Sequence, residues 1–487
     1  MRLQFRLKLV ILFLIAFIVS AVAQQDKTLF LMHEMPQANI VNPAVGIKCR
    51  YYVSIPLLSS IHLNYSNTLA SVNDVIVPKP GTDSLQLDLQ NAVNQTHKVD
   101  LINVEAHITL LEFGYQWETN YLSFAIRERA SFFGTASQDL IQLGYYGNSH
   151  FLDQTANLGN VRGIGIHYRE YSLGFSKDVS KKLRLGIHGK LLFGKAGTTT
   201  TQYSGGLYTD PVTFAISTSA NYSQKVSAPI DIFQNPDGSI DSVALQQNIN
   251  WVDYAFNRQN IGFAFDFGAI YKYNSKITLS ASLLDLGTIF WKTNSNNLHT
   301  SGNYSFQGEV NGSGSSNSIT DSIRSAYVVT LGEGPYFANL IPRLYLGGTY
   351  QFAPHFNTGA TFYSELLMNK IHSSFGLSLN TQGFKKYSAS LLWSAQNSQY
   401  TNIGLGFGAK WGDAHFHLIS DNVPAFFKPQ NARNINLRLG LNLLLGCKAK
   451  VIKKPAALPC PNRQLASDEN FKKVKYKPIN RQKAPKR

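Results

Sequence analysis

Residues 434–445 read NINLRLGLNLLL. An aliphatic side chain stands at every second position from Ile435 to Leu445, and the intervening positions hold Asn, Arg and Gly. Successive side chains of a β-strand point to opposite faces, whereas a helix would scatter these leucines around its circumference. The segment therefore predicts a strand with one face in lipid and the other in a polar lumen.

The same alternation recurs upstream, for example at Phe263, Phe265 and Phe267. Short turns alternate with long connections rich in Ser, Asn, Gly and Thr, which is typical of outer-membrane barrels. We predict an all-β fold, a transmembrane antiparallel β-barrel of about 14 strands. The alternative is a secreted chain of two or three β-sandwiches. The predicted strands are 50–67, 104–117, 121–133, 164–177, 182–195, 258–273, 276–291, 341–353, 356–367, 371–381, 386–397, 400–411, 414–423 and 433–446.

The composition favours a membrane barrel. Charged residues make up only 15% of the chain, against about 25% in a typical soluble protein. No run of about 18 apolar residues follows the first residues, so no transmembrane helix is expected. An even number of strands places both termini on the short-turn side, which we predict to be periplasmic.

The first residues resemble an export signal. Arg2, Arg6 and Lys8 precede a short apolar run, and residues 21–23 read AVA, a cleavage motif. A retained N-terminal anchor is the alternative. The expected parts are a signal peptide at 1–23, a plug or latch segment at 24–48, the barrel at 49–447 and a basic, disordered periplasmic tail at 448–487.

The tail concentrates the charge of the chain. Residues 448–487 hold ten Lys and three Arg against Asp468 and Glu469, whereas the body is nearly neutral. The tail lacks apolar periodicity, so we expect no packed structure there. An exported chain has no access to nucleic acid. Anionic envelope material or an acidic periplasmic protein is the expected partner of the tail, beside the lipid bilayer around the barrel, and simple solvated disorder is the alternative.

Three cysteines are too few for a disulfide scaffold. In a closed barrel the first strand, starting near Cys49, pairs with the last strand, ending near Cys447. A Cys49–Cys447 disulfide would join the two strands at the periplasmic rim. The alternatives are a Cys447–Cys460 bond and free thiols.

The chain shows no catalytic or cofactor motif, neither a nucleophile elbow nor a phosphate loop nor a zinc-binding HExxH sequence, so we predict no enzyme activity and no cofactor. His415 and His417, with Asp413, lie at a spacing that suits one cation, but the stretch offers too few ligands, and we read them as polar lumen residues. The residues predicted to face the lumen are Arg184, His188, Lys190, His415, His417 and Arg438.

The segment before the barrel, LMHEMPQANIVNPA at 31–44, suits neither a strand nor a long helix. Pro36 and Pro43 would stiffen an insert, and Asn39 and Asn42 would bond its turns or the lumen wall. These four residues are the candidate plug. The alternative is a periplasmic lead-in that only latches the first strand.

Several stretches resemble known barrels. MPQANIVNPA followed by VSIPLLSSIHLNYSNT (53–68) resembles the start of an uncharacterised family of Bacteroidota outer-membrane barrels. The motif at 42–44, NPA, more distantly resembles FadL-like transporters and the PorV-type and PorP/SprF-type barrels of type IX secretion. The resemblance implies a similar barrel and no assigned activity. The segment before the barrel is shorter than a full FadL plug domain.

Two functions remain open from the sequence. The first is a non-enzymatic barrel in the outer membrane that binds or passes a small, hydrophobic solute. Small residues on the predicted lumen face, such as Gly404, Gly406 and Gly408, leave room for a ligand or an insert. The second is an assembly or docking component for secretion or surface attachment, favoured by the long loops and the basic tail.

Overall fold

The computed structural model describes residues 26–447, apart from Pro80, Asp83, 236–239, 308–325, Lys385 and 397–398. The predicted signal peptide and the basic tail therefore lie outside the described residues. Among the described residues, no helix is both long enough and apolar enough to cross a membrane.

Fourteen antiparallel strands form a closed barrel, as the alternation predicts. Each strand pairs with its neighbour in the chain, and the last pairs with the first, for example Leu437 with Leu63. The strands are β1 (Tyr51–Ser54 and Ile61–Asn67), β2 (Val99–Trp117), β3 (Asn120–Ser137), β4 (Arg162–Asp178), β5 (Leu183–Thr209), β6 (Asn260–Lys272), β7 (Ile277–Trp291), β8 (Arg343–Ala353), β9 (Phe356–Leu367), β10 (Lys370–Thr381), β11 (Tyr387–Gln396), β12 (Gln399–Trp411), β13 (Ala414–Ser420) and β14 (Asn434–Leu445).

Strand β1 is broken in the middle. Its two halves pair with the same neighbours, β14 and β2, but the regular pairing is interrupted over residues 55–60 by Pro56, which has no N–H to donate. Leu57, at a positive φ of 65°, and Leu58 are exposed on the outside, whereas Ser59 is buried. The interruption therefore pushes backbone toward the lumen at this level.

Short and long connections separate the two ends of the barrel. At the turn end, β2 and β3 are joined by 118–119, and β12 and β13 by 412–413. At the loop end, the connections 68–98, 138–161, 210–259 and 292–342 are long. Residues 50 and 446, which flank the barrel, both lie at the turn end, where Arg50 N–H bonds Leu445 O.

The predicted polar loops at 196–257 and 292–340 in fact contain strands. Beyond the barrel wall, β5 continues to Thr209 and pairs with the strand Ile216–Ser227. That strand pairs in turn with Ser295–Phe306, and Ser295–Phe306 pairs with Tyr327–Glu333. Further strands are Ile76–Pro78, Leu85–Leu87, Thr155–Asn157, Ile230–Gln234, Ile240–Leu245 and Tyr336–Asn339. The α-helices and 3₁₀ helices are Lys27–Phe30, Pro36–Ile40, Val72–Val75, Leu89–Asn94, Gln138–Tyr146, Asn148–Phe151, Trp251–Ala255, Pro424–Phe427 and Pro429–Asn431.

The two faces of the wall differ in polarity. Leu173, Phe263 and Leu405 are exposed on the outer face, as are most large apolar residues of the strands. The inner face of β14 buries Asn434, Asn436, Arg438 and Asn442 instead. An apolar outer face with a polar inner face is the reverse of a soluble protein and is typical of strands that cross a membrane.

Candidate functional site: the blocked lumen

The N-terminal segment, residues 26–48, lies inside the barrel, and we call it the plug. Its short helix Lys27–Phe30 and 3₁₀ helix Pro36–Ile40 place Leu29, Phe30 and Met35 fully out of solvent. Pro36 suits the first position of a helical turn, where an N–H has no partner to lose. A barrel of fourteen strands is wide enough to need such a filling.

Polar contacts from two residues of the wall hold the start of the plug. Arg438 on β14 donates from Nε to Asp26 Oδ1 at 2.8 Å and also bonds the second carboxylate oxygen. Asp421, after β13, accepts the backbone N–H of Thr28 at 2.9 Å and that of Lys27 at 3.1 Å. These bonds satisfy donors at the start of the helix, which otherwise have no partner within it.

The candidate plug residues lie deeper along the segment. Asn39 donates to Val45 O at 2.7 Å, and its Oδ1 lies 3.1 Å from Nε2 of His188 on β5. Asn42 accepts the N–H of Ala44 at 3.0 Å, which closes a tight turn before Pro43 leads the chain back to the wall. The geometry places the insert in the lumen rather than below it.

Glycines on the lumen face let the wall approach the plug. A Cβ added at Gly186 would lie 2.2 Å from Pro43 O, and one at Gly268 2.2 Å from Asn42 Oδ1. A Cβ added at Gly404 or Gly406 would likewise come too close to Thr28 or Met32 of the plug. The small residues predicted to face the lumen therefore make room for the insert along much of its length.

We expect Gly186→Val to displace the plug. The new side chain needs the space of the Pro43 carbonyl. Overpacking costs about 1–3 kcal/mol, which raises the population of displaced plug by about fivefold to a hundredfold. Limited trypsin cleavage after Lys27, which is fully buried, measures that population by mass spectrometry.

Gly189→Val is the matched control for this experiment. Gly189 lies on the same strand, and a Cβ there meets nothing closer than 4.0 Å. Equal cleavage rates in the two variants would contradict the close packing of the plug against β5.

Beside the plug, ionised side chains form a layer across the lumen, which we call the charged belt. Arg343 on β8 donates to Glu105 on β2 at 2.8 Å and to Asp285 on β7 at 3.3 Å. Strands β2 and β8 lie on opposite sides of the ring, so this contact spans the lumen. The belt comprises Glu105, Glu112, Arg127, Arg129, Glu170, Lys190, Asp266, Asp285 and Arg343.

The belt blocks the lumen in addition to the plug. The space between it and the plug is a cavity of only about 40 Å³, which holds a few water molecules at most. Asp266 joins the two layers, because its carboxylate contacts Lys190 Nζ at 2.8 Å and His188 Nδ1 at 3.1 Å. Buried charges persist only where each is paired, and the belt meets that condition.

On the loop side of the belt the lumen opens into a cavity of about 180 Å³. Its walls are mainly apolar and aromatic, with the indole of Trp291 packed over Gly194 and Gly197. Arg129, Asp285 and Arg343 form its floor. The apolar wall residues include Phe133, Ile164, Ile166, Tyr168, Trp291, Ala338 and Leu340.

The remaining residues predicted to face the lumen occupy separate levels. Arg184 lies near the turn end, where it donates to Ser176 Oγ at 3.0 Å and Asp178 Oδ1 at 3.2 Å. His415 and His417 are buried with their rings stacked 6.3 Å apart. Within the part of the chain that the structure describes, no group of three or more His, Cys, Asp or Glu side chains is placed to hold a metal.

The seam between β1 and β14 is fastened at both ends. Cys49 and Cys447 form a disulfide at the turn end. At the loop end, Arg433 donates to Asp74 Oδ2 at 3.0 Å. Partial burial raises the pKa of Asp74, but hydrogen bonds from Ser71 N–H and from Arg433 outweigh it and hold that pKa below its usual value. Both clamps join residues far apart in the sequence.

The belt was missed by sequence reasoning, apart from Lys190. A signal was present, since Arg127 and Arg129 in the strand IRER at 126–129 share one face, and charges on a strand of a membrane barrel belong inside. One partner, Glu112, was hidden by a bulge at Thr109 to Leu111, where the side of β2 that faces inward changes.

Similar folds occur among solved barrels. The toluene transporter TodX of Pseudomonas putida is 10% identical with a TM-score of 0.35, over 87% of this chain and 93% of that one. The toluene transporter TbuX of Ralstonia pickettii is 10% identical with a TM-score of 0.40, over 84% and 94%. A FadL homologue of Pseudomonas aeruginosa is 9% identical with a TM-score of 0.37, over 88% and 100%. At these scores the likenesses do not bear on what this chain binds.

No protein of curated function matches the sequence. A family of unknown function, DUF5723, matches residues 43–421. That range runs from Pro43 in the plug through β13, so it includes nearly the whole barrel. The chain therefore belongs to the DUF5723 family.

Proposed function

We propose that this chain is a non-enzymatic outer-membrane barrel that binds a small apolar or aromatic solute between its charged belt and its loops. The outer-membrane location is supported by the apolar outer face of the strands and by the turn-end position of residues 50 and 446. The turn end is then periplasmic. The sequence resemblance to Bacteroidota barrels, PorV-type proteins among them, agrees with this location.

The cavity beside Trp291 is the observation that carries the proposal. Its volume of about 180 Å³ suits one aromatic ring, since an apolar cavity of about 150 Å³ binds benzene. Trp291 lines one wall, and its ring stacks on that of Tyr336 with the centroids 6.3 Å apart. Arg343 and Arg129 on the floor would favour a solute with an electron-rich or acidic edge.

Filling the cavity tests this role. We expect Ala338→Phe to weaken the binding of indole by about tenfold or more, because the new ring occupies the solute volume. Isothermal titration of the purified barrel in detergent measures the dissociation constant.

Ala106→Phe serves as the control, because Ala106 pairs with Ala130 on the outer face and lines no part of the lumen cavity. Two results would contradict the proposal. One is that Ala338→Phe binds indole as tightly as the wild type, and the other is that the wild type binds neither indole nor benzene.

Passage and docking need separate measurements. With the plug and the belt in place, we expect liposomes containing the protein to swell no faster in small sugars than empty liposomes. The docking alternative is supported by the long loops and by residues 448–487, which lie outside the described part of the chain. A stoichiometric partner crosslinked in intact envelopes, and lost on deleting 448–487, would favour it over solute binding.

A further inference from the structure

The outer wall carries a charged cluster where apolar side chains are expected. On β3, Arg127 and Arg129 point inward, so Glu128 between them points outward. Glu128 Oε2 accepts from Arg169 Nε at 2.8 Å, and its Oε1 contacts His167 Nε2 at 2.9 Å and also Lys195. Charges on the lipid face of a barrel are costly at the bilayer midplane and tolerated near its edge.

The position of this cluster along the strands matches such an edge. On β4, the outward residues that follow Arg169 toward the turn end are Tyr171, Leu173 and Phe175, and the last two are well exposed. On β5, the outward residue beside Arg169 is Phe193. On β4 and β5 the cluster therefore stands at the loop-end border of the apolar band, while on β3 the exposed Phe132 lies just beyond Glu128. This places the cluster close to the headgroups of the outer leaflet.

A loop folds back over the cluster from outside. Tyr254, in the helix Trp251–Ala255, places its hydroxyl 2.7 Å from His167 Nδ1, and Arg169 lies 5.3 Å from the ring centroid of Phe256. On the same loop Trp251 is 68% exposed, and Phe256 is 61% exposed. Exposed aromatic side chains at the edge of an apolar band are typical of residues that sit among lipid headgroups.

Between this loop and the wall lies an open pocket of about 570 Å³. Lys195 and Arg258 line it, with Asp253 as the single acidic residue of the described lining. Several amide side chains complete the lining, among them Gln246, Asn248 and Gln259. Amides and a stacked aromatic residue bind sugar hydroxyls and sugar faces. Lys195 is buried against Glu128, so the exposed Arg258 is the cation available to a phosphate.

We propose that this pocket binds the phosphorylated sugar headgroup of an outer-leaflet glycolipid. The pocket is larger and richer in amides than a phosphate of a simple phospholipid needs, and it opens beside the exposed aromatic residues, where acyl chains would lie. The proposal assumes the outer-membrane location but not the solute site, so indole binding and glycolipid binding fail independently.

The test is native mass spectrometry of the purified full chain, stripped of lipid and then incubated with diphosphorylated lipid A. We expect one lipid A molecule bound per barrel. In Arg258→Gln, the occupancy at limiting lipid should fall by about tenfold, because a charge-assisted contact with the phosphate is lost. Lys272→Gln is the control, since Lys272 is exposed at the opposite end of the strands and loses the same charge.

Arg258→Gln leaves the Lys195–Glu128 pair intact, because Arg258 is exposed and has no ion pair with any described residue. Dephosphorylated lipid A and phosphatidylethanolamine should bind more weakly than diphosphorylated lipid A. Equal occupancy in Arg258→Gln, equal binding of phosphatidylethanolamine, or complete competition by millimolar inorganic phosphate would each overturn the proposal, the last by assigning the site to a free anion.

Discussion

Replacing Arg343 with alanine is expected to lower the free energy of unfolding by about 3–5 kcal/mol, because it leaves buried carboxylates without their cation. Arg343 is buried and bonds both Glu105 and Asp285. Glu105 is paired with Arg343, and Asp285 is paired with Arg343, Arg129 and Lys190. The substitution therefore takes a cation from both carboxylates.

Urea unfolding in detergent, followed by the heat-sensitive electrophoretic mobility of folded barrels, measures this effect. Arg258→Ala is the control, since it removes an exposed arginine from a loop. In the double variant Glu105→Gln/Arg343→Ala, the loss should be smaller than the sum of the two single losses, because the neutral amide no longer needs a cation. Additive losses would contradict the pairing across the lumen.

Removing the disulfide should have the second large effect on stability. Cys49 and Cys447 are separated by 398 residues, and in the chain-entropy account closing so long a loop stabilises the fold by up to about 5 kcal/mol. Cys49→Ser/Cys447→Ser should therefore unfold at lower urea concentration than the wild type. Reduction of the wild type should reproduce the shift.

Cys460→Ser provides the control for the disulfide, because it leaves the seam pair intact and removes the competing thiol. Its mobility on non-reducing gels should still change on adding reductant. The bond does not stabilise the seam if reductant leaves that mobility unaltered. The same conclusion follows if the double serine variant unfolds at the same urea concentration as the wild type.

The barrel itself could be predicted from the sequence because one face of every strand meets an apolar surrounding. Apolar residues therefore recur at every second position of a strand. The strand from 356 to 367, for example, has the predicted bounds. The strands beyond the wall, such as Ile216–Ser227, escaped prediction since neither face is apolar. Polar residues such as Ser, Thr and Asn occur on both faces of that strand, so the sequence shows no alternation between apolar and polar positions.

Much of the candidate site was beyond a reading of single segments. The cavity beside Trp291 joins β3, β4, β5 and β7 with 337–341, and only the curvature of the closed sheet brings these together. The contact of Arg343 with Glu105 spans 238 positions and depends on the bulge in β2. The plug, by contrast, was visible as a proline-bearing segment that fitted no strand.

The disulfide at Cys49 follows directly after the plug and so acts as a tether for it. A segment bound to the rim through a short stretch of chain keeps an effective concentration in the millimolar range near its own site. Re-entry into the lumen is then an intramolecular step, independent of how many copies of the protein the membrane holds. A plug displaced from the lumen would therefore return to its own barrel.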